Sequence, residues 1–496
     1  MSRTLTQSRV GSVLLLALAT ACAGRGPEES AGRSSSALDA VGTEPLSISS
    51  GGSHTCAVLA DRTVRCWGGN GRGEIGDGTT LTRLASVPVQ GLTGVAQIAL
   101  GDMHTCARLD DGTMWCWGRG AEGQAGDGTR NDRSKPSMVP TLANVAHIGL
   151  GQSHTCAVLR DGTVKCWGDN RIGQLGDGTT TGRLSPTTVT GISAVVEIAV
   201  GPQDTCARLD DGSVRCWGAN DSGQLGDGTT AYSATPKAVV GLGRAAGLAV
   251  GYSHSCARLL DGTMQCWGGN AQGQLGVGDL VPRANPTAVV GLTGVVDVTL
   301  GWYHTCARLA DGSLRCWGRN GAGPVGDGTT ENRATPTSVI GLARAADVAC
   351  GSYHTCGLLE DGPSVRCWGF NATGQLGEGT IGSRVEPFAI HSWCSTDRAS
   401  VVGGTPKSCT PYRCRDDACP TSCASASDCG EGFTCSASST CVAAVTNGGA
   451  GSSGCGVQRG ASSPDAATLL ALGMACIRRR SWSDGRARCG FPAKSG

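Results

Sequence analysis

The chain repeats itself at a constant interval of 50 residues over most of its length. The first copy contains the stretch HTCAVLADRTVRCWG, and six related stretches follow it. The fourth of the seven copies begins with Asp instead of His. The seven copies begin at His54, His104, His154, Asp204, His254, His304 and His354. A period of this size is typical of propeller blades or solenoid turns, which bury their faces against neighbouring units. The repeat therefore restricts the chain to an array of similar units.

Each copy contains two short apolar runs separated by three residues, such as CAVL and TVRCW in the first copy. Repeats 2 to 6 place glycine at the third loop position, as at Gly112, where a three-residue β-hairpin loop favours the left-handed conformation. The loop pairs Leu59 with Thr63. Cys56 then lies opposite Cys66 in a non-hydrogen-bonded pair, where side chains come closest. The spacing therefore predicts one hairpin per repeat with its two cysteines face to face.

The rest of each repeat supplies two further strands. An apolar run ending in glycine, such as QIALG or HIGLG, precedes the hairpin, and a long loop rich in Gly and Asp follows it. A proline and a short run such as TPTSVIGL then predict a fourth strand. Four short strands in one repeat predict a propeller blade. We therefore predict an all-β protein, a closed seven-bladed β-propeller at residues 46–391 followed by a small disulfide-rich module.

The cysteine pairs predict a cross-strand disulfide in every hairpin. Their spacing is too wide for a C-x-x-C metal or redox motif, and the cross-strand geometry lies within reach of a disulfide. A bridge that closes so short a loop contributes about 2–3 kcal/mol in the loop-entropy treatment. Reduced, buried cysteines are the alternative, and metal binding is disfavoured because two thiolates leave a ligand set incomplete. The predicted bridges are Cys56–Cys66, Cys106–Cys116, Cys156–Cys166, Cys206–Cys216, Cys256–Cys266, Cys306–Cys316 and Cys356–Cys367. Cys350 takes the apolar position of Leu100 and Leu300 in other repeats, which predicts a lone buried thiol.

The repeat consensus GxxHTCAxLxDGxVxCWGxNxxGQLGDGTTxxRxxPxxVxGL resembles the repeat of the regulator-of-chromosome-condensation family. The resemblance implies a seven-bladed propeller that presents loops to a protein partner. Members of the family include a guanine-nucleotide exchange factor for a nuclear GTPase and secreted bacterial inhibitors of β-lactamase. The chain departs from the family pattern in its cysteine pairs and at Asp204, Gly120 and Val277, which replace His, Asn and Asp. We interpret these three replacements as surface or loop variation.

Nucleotide exchange and nucleic-acid binding are not expected. Exchange activity would need an inserted loop that projects from the ring, and the constant spacing of the first six repeats leaves no room for one. The net charge is +1, with no basic tail or stripe, so the chain lacks the electrostatic footprint of a DNA-binding protein.

The N-terminal segment predicts export. Residues 1–22 place Arg3 and Arg9 before a short apolar core, which is typical of a secretory signal peptide. The sequence LATAC ending at Cys22 resembles a bacterial lipobox, and ordinary signal cleavage nearby is the alternative. Residues 23–45 are small and polar, as in a flexible tether. The total of 27 cysteines agrees with an oxidising compartment, so we predict an outer-membrane, cell-surface or secreted protein.

The C-terminal segment changes composition again. Residues 392–442 contain few apolar residues and eight cysteines, Cys394, Cys409, Cys414, Cys419, Cys423, Cys429, Cys435 and Cys441. Such a segment needs disulfides to fold, in a connectivity that the sequence does not reveal. Zinc binding is the minor alternative, since no His lies between these cysteines. The segment resembles a cysteine-rich module found near the ends of myxobacterial surface proteins.

Residues 443–454 form a Gly- and Ser-rich linker. Beyond it, Gly454–Cys455, a short apolar run and an Arg cluster resemble a myxobacterial C-terminal sorting tail over residues 455–496. That resemblance implies processing and modification at Cys455. The twelve residues of AATLLALGMACI are too few for an ordinary membrane span, and a short amphipathic or core helix is the alternative.

The polar residues of the repeat do not predict catalysis. The first position of the HTC motif, which reads HSC in repeat 5, supplies six of the eight histidines. One histidine per blade puts neighbours roughly 10 Å apart. One ion cannot bridge that distance with bonds near 2 Å, so we predict a hydrogen-bonding role. The aspartates of GDGTT lack the alternating acidic ligands of a calcium loop, and Asp-Gly is ordinary turn chemistry. No catalytic residue, metal or cofactor is predicted.

The residue types at the two positions after the first glycine of each repeat vary between copies in a way that can indicate function. Repeats 5 to 7 place Tyr252, Trp302, Tyr303 and Tyr353 there, although the chain is only 4% aromatic. Equivalent positions of adjacent blades lie on one rim, and interfaces favour Tyr and Trp as anchors. We therefore predict a binding patch for an extracellular protein or glycan on a monomeric ring held by a lipid or tail anchor. Packing against neighbouring loops is the alternative for these residues. A hydrolase or lyase with a central-channel site, or a purely structural surface protein, is the alternative for the function.

Overall fold

The structure, a computed structural model, describes residues 44–342, 344–360 and 364–390, together with two short strands nearer the C-terminus. Those strands, Phe433–Cys435 and Cys441–Ala443, form an antiparallel pair in a second compact unit, residues 407–496. The remaining predictions for residues 1–43 and 391–496, including Cys22 and Cys455, lie outside the described residues. The signal peptide, tether, cysteine-rich module, linker, tail, anchor and cellular location stay predictions.

Each repeat forms one four-stranded antiparallel sheet, and we number the resulting blades 1 to 7. The innermost strands are β1 (Pro45–Ser50), β5 (Val95–Leu100), β9 (Val145–Leu150), β13 (Val195–Val200), β17 (Ala245–Val250), β21 (Val295–Leu300) and β25 (Ala345–Cys350). The second strands are β2 (His54–Leu59), β6 (His104–Leu109), β10 (His154–Leu159), β14 (Asp204–Leu209), β18 (His254–Leu259), β22 (His304–Leu309) and β26 (His354–Leu359). The third strands are β3 (Val64–Gly68), β7 (Met114–Gly118), β11 (Val164–Gly168), β15 (Val214–Gly218), β19 (Met264–Gly268), β23 (Leu314–Gly318) and β27 (Val365–Gly369). The outermost strands are β4 (Arg83–Pro88), β8 (Arg133–Met138), β12 (Arg183–Thr188), β16 (Ser233–Ala238), β20 (Arg283–Ala288), β24 (Arg333–Ser338) and β28 (Arg384–Ala389).

The predicted all-β seven-bladed propeller is confirmed. Every blade uses four strands that are consecutive in the chain, so no described strand is shared between two blades. The ring closes between blades 7 and 1 through packing of β1 on β25 and through hydrogen bonds. The Trp67 indole donates to the Gln375 carbonyl at 2.9 Å, and the Ile48 amide donates to Asp347 at 3.0 Å. None of the described segments forms a helix capable of spanning a bilayer.

The hairpin register follows the loop length. The Leu59 amide donates to the Thr63 carbonyl at 2.9 Å, and Cys56 pairs with Cys66 across β2 and β3. Gly112 has a φ of 80°, in the left-handed region that this turn requires. All seven hairpins contain the predicted disulfide, with Cα atoms 4.1 Å apart. The bridge therefore spans two neighbouring strands of one blade.

The hydrophobic core lies between blades. At one junction, Trp217 of blade 4 packs with Cys156, Cys166 and Leu175 of blade 3 in a single buried cluster. Its indole N–H donates to the Gln174 carbonyl of blade 3 at 3.0 Å. An equivalent tryptophan is fully buried in every blade: Trp67, Trp117, Trp167, Trp217, Trp267, Trp317 and Trp368. Each blade thus depends on its neighbour to complete its core, as in other repeat proteins.

Candidate functional site

The candidate site lies at one end of the ring, where short turns join the first and second strand of each blade. We call these turns the inner loops; in blade 1 the inner loop is residues 51–53. Each begins with glycine, because a side chain at Gly101, for example, would collide with the Gly151 carbonyl of the next blade. The Gly52 amide donates to the Gly101 carbonyl at 3.1 Å, and five other blades make a similar bond. Blade 4 has Pro202 at this position, which carries no N–H.

The inner loops and the ends of the innermost strands surround a central cavity of about 80 Å³. Pockets for small molecules usually measure roughly 300–1,000 Å³. Among the described residues that line it, Asp102 and Cys350 carry the only side chains that can ionise.

The four predicted aromatic residues form one continuous cluster on the inner loops of blades 5 to 7. The Tyr252 ring lies 5.2 Å from Trp302 and 5.3 Å from Tyr303, measured between ring centroids. Tyr353 lies 5.3 Å from Trp302 and 6.3 Å from Tyr303. All four side chains are half-buried. Repeat spacing therefore identified residues that the fold brings into mutual contact.

Two further residues extend this cluster, and the sequence interpretation missed both. Phe370 meets Tyr353 edge-on at 6.4 Å and is 38% exposed. The Arg319 guanidinium lies 5.0 Å from the Tyr353 ring centroid and 5.9 Å from that of Tyr303. Both residues directly follow the WG of their repeat, a position that also varies strongly between copies. Comparing that position would have found them.

Arg319 is exposed, and it forms no ion pair with any carboxylate in the part of the chain that the structure describes. We call the opening of the central cavity between the inner loops the mouth. The side of the mouth opposite the aromatic cluster is polar. Burial raises the pKa of the Asp102 carboxyl, against the opposing effects of a hydrogen bond from Gln152 and the charge of Arg119. The mouth is thus divided into an aromatic half, blades 5 to 7, and a polar half, blades 1 to 4.

Behind the inner loops, buried histidines link successive blades. The Nε2 atom of His54 lies 2.8 Å from the Thr105 hydroxyl oxygen of blade 2. That hydroxyl gives its hydrogen to the Glu74 carbonyl, so it must accept from an Nε2–H, which fixes the imidazole tautomer. His104, His154, His254, His304 and His354 make the same contact at 2.9–3.0 Å. The predicted hydrogen-bonding role is confirmed.

Burial lowers the pKa of His54, His104, His254, His304 and His354 to about 3. For His154 burial lowers the pKa to about 4. All six imidazoles are therefore neutral at pH 7. The charged form is disfavoured because the folded chain removes these rings from water.

Asp204 interrupts this ring of histidines, and its interpretation as surface or loop variation was wrong. Its side chain is fully buried, and neither carboxyl oxygen has a hydrogen-bond partner among the described residues. Burial raises the pKa of this carboxyl well above its usual range. Ser255 replaces the usual threonine on blade 5, and its hydroxyl donates to the Gln224 carbonyl. The junction of blades 4 and 5 therefore lacks the histidine–threonine hydrogen bond found at the other six junctions.

We expect the double substitution Asp204→His with Ser255→Thr to stabilise the protein at pH 7.5 by about 1–3 kcal/mol. It removes an unpaired buried carboxyl and restores the missing link. Chemical denaturation would measure the change. The matched control, His154→Asp with Thr205→Ser, creates the same defect one blade earlier and should cost a similar amount. An unchanged midpoint for the first variant would contradict the assignment of Asp204 as an unpaired group.

The aspartates of the GDGTT motif accept hydrogen bonds from residues of their own loops. Asp77 accepts hydrogen bonds from the Thr79 amide at 3.0 Å, the Thr79 hydroxyl at 2.8 Å and the Arg83 guanidinium at 2.6 Å. Where Val277 replaces this aspartate, Asp279 pairs with Arg283 at 2.6 Å instead. These carboxylates therefore already have partners within the chain, and the change at Val277 is loop variation as interpreted.

Comparison with known proteins agrees with this geometry. A family model described as RCC1-like domain matches residues 19–279. Two models of the regulator of chromosome condensation (RCC1) repeat match residues 261–308 and 311–358, and residues 295–323 and 345–375. No curated protein sequence matches the chain.

Among solved structures, human WBSCR16 is 25% identical over 62% of this chain and 84% of its own, with a TM-score of 0.57. Prp20p from Saccharomyces cerevisiae is 24% identical over 70% of this chain and 86% of its own, with a TM-score of 0.61. Yeast RCC1 (Prp20) bound to Kap60 is 22% identical over 75% of this chain and 91% of its own, also with a TM-score of 0.61. The two yeast structures are similar to this chain in fold.

Proposed function

Since the chain belongs to the RCC1-like domain family, we propose that it is a binding propeller that contacts a protein partner through the aromatic half of its mouth. One observation carries this proposal: four rings on three consecutive blades form a continuous, half-exposed cluster. The fold itself does not require them, because blades 1 to 4 build the same inner loops without Tyr or Trp. Interfaces concentrate their binding energy in such aromatic anchors.

The relatives support a protein as the class of partner. The yeast Prp20p structure was described with its binding to Gsp1p and histones, and yeast RCC1 was solved bound to Kap60. We do not extend nucleotide exchange to this chain, because the constant spacing of its first six repeats leaves no room for an inserted loop.

The chemistry of the aromatic cluster indicates which side chains the partner surface carries. Rings of Trp302 and Tyr353 offer apolar faces, and Arg319 offers guanidinium N–H donors held over the tyrosine rings. A planar guanidinium that pairs with no carboxylate among the described residues suits a carboxylate of a partner, which it can bind through two parallel hydrogen bonds. We therefore propose a partner surface on which an apolar side chain lies beside an Asp or Glu.

Affinity capture with matched variants tests this proposal. The full chain and its Trp302→Ala and Arg319→Ala variants serve as baits, with Gln152→Ala and Arg119→Ala as controls from the polar half. We expect a protein retained by the wild type and both controls but lost with both aromatic-half variants. For the partner so identified, Trp302→Ala should weaken binding by about 2 kcal/mol or more, measured by titration calorimetry.

The thermal midpoint of Trp302→Ala separates binding from packing. We expect it to stay near that of the wild type, because Trp302 lies in a half-buried loop outside the disulfide-bonded hairpin. A drop of many degrees would assign Trp302 to packing. Full retention of the partner by all variants would place the binding surface elsewhere.

A further inference from the structure

A free thiol lies beside a disulfide at the junction of blades 6 and 7. Cys350 is the free cysteine of the described residues and is buried, as predicted. Its Sγ atom, the Sγ atom of Cys306 and a ring nitrogen of His304 all lie within 4.8 Å of one another. Cys306 is already bonded to Cys316 within the hairpin of blade 6. The fold therefore places a free thiol within 4.8 Å of a disulfide sulfur.

We propose that this group is a site of internal thiol–disulfide exchange. The Sγ atom of Cys350 loses its proton and attacks the Sγ atom of Cys306. A Cys350–Cys306 bond forms, the Cys306–Cys316 bond breaks, and Cys316 leaves as a thiolate that takes up a proton. One thiol and one disulfide are present before and after the step, so no external oxidant or reductant is required.

The exchange changes what the bridge connects. The original bond closes a loop with a sequence separation of 10 within blade 6. The new bond joins β22 of blade 6 to β25 of blade 7, across a separation of 44 residues from 306 to 350. A bridge that closes a longer loop restricts the unfolded chain more strongly. Every blade uses its own four strands. Besides the main chain between β24 and β25, this bond would therefore be a covalent cross-link between the two blades.

The surroundings of Cys350 keep the exchange slow at neutral pH. Burial raises the pKa of the Cys350 thiol to about 12; hydrogen bonds with Thr355 and Thr299 oppose this shift, and the charge of Asp297 adds to it. His304 is a poor base here, because burial lowers its pKa to about 3 and its Nε2–H is held by Thr355. The thiolate is the attacking species. The rate should therefore rise about tenfold for each pH unit below that pKa.

Mass spectrometry of the oxidised full chain tests the exchange. The protein is incubated without added thiol at about pH 8.5 and about pH 9.5, quenched with acid, alkylated and digested without reduction. We expect a peptide pair linked through Cys306 and Cys350, alkylated Cys316 in equal amount, and a roughly tenfold faster reaction at the higher pH. Retention of the Cys306–Cys316 bond at both pH values, or a link from Cys350 to any cysteine other than Cys306, would overturn the proposal.

Two variants control for the position of the thiol. Cys350→Ser should leave the Cys306–Cys316 bond intact under the same conditions. Adding Leu300→Cys to that variant moves the thiol to the equivalent position one blade earlier, beside the Cys256–Cys266 bridge. The exchange should then move to Cys256. Loss of the Cys306–Cys316 bond in Cys350→Ser would show that another group is the nucleophile, and an unreactive Leu300→Cys variant would show that the repeat position does not create the reaction.

Discussion

At pH 5 the propeller should be less stable than at pH 7.5 by on the order of 10 kcal/mol. Five buried histidines have pKa values lowered to about 3, and a sixth to about 4. In the unfolded chain each imidazole has a pKa of about 6.5 and takes up a proton as the pH falls. The folded chain takes up none until the pH is far lower. The stability is therefore complete above about pH 6.5 and is lost as the pH falls below it, by about 2 kcal/mol for each histidine at pH 5.

Buried carboxyls act in the opposite direction. Burial raises the pKa of Asp347 to about 6 and raises that of Asp204 as well. These groups bind protons in the folded state before the unfolded chain does, so their penalty, present at high pH, disappears as the pH falls. Burial also raises the pKa of Asp102, Asp297 and Glu74. These five carboxyls offset part of the loss.

Urea denaturation between pH 8 and pH 4.5 would measure this dependence. The six histidines alone should contribute about six protons to the slope of the unfolding free energy against pH near pH 5, and Asp347 and Asp204 should lower the net number to about four. His154→Gln should lower that slope by about one proton, because glutamine does not titrate. The same variant should also be less stable than the wild type at pH 8. An unfolding free energy that stays constant from pH 7.5 to pH 5 would contradict the assignment of neutral, buried histidines.

The second large effect is expected at the inter-blade tryptophans. Replacing Trp217 with alanine should cost about 3–5 kcal/mol, the usual loss for a buried Trp or Phe. The side chain is fully buried against the Cys156–Cys166 bridge, and its indole N–H donates to the Gln174 carbonyl. The bridge fixes both strands that face the resulting cavity, so they cannot move in to fill it.

Urea denaturation at pH 8 would measure the loss, and Trp115→Ala provides the control. Trp115 lies in the third strand of blade 2 but is only partly buried, and its removal should cost much less. Trp217→Phe keeps most of the apolar contact and removes the indole hydrogen bond, so it should cost less than alanine. The Gln174 carbonyl still accepts from the Thr205 hydroxyl in that variant. Equal losses for Trp217→Ala and Trp115→Ala would mean that the inter-blade contact is not a main source of stability.

The sequence by itself determined the strand pairing of the hairpin in each blade and its disulfide. A three-residue loop sets the register of a hairpin through local backbone geometry, so the pairing of Cys56 with Cys66 follows from their spacing. The seven copies then set the number of blades. Both inferences need only contacts between residues that are close in the chain.

The tertiary structure decided what happens between blades. It buries Asp204 without a partner, brings Arg319 over the ring of Tyr353 and sets Cys350 beside the sulfur of Cys306. These residues are separated by about one repeat in the chain, or meet groups that come from a neighbouring blade. Their distances depend on how one sheet packs against the next, and that packing is set by the summed contacts of whole blades. Repeat spacing predicted that the aromatic residues of blades 5 to 7 share one rim, but it does not predict these distances.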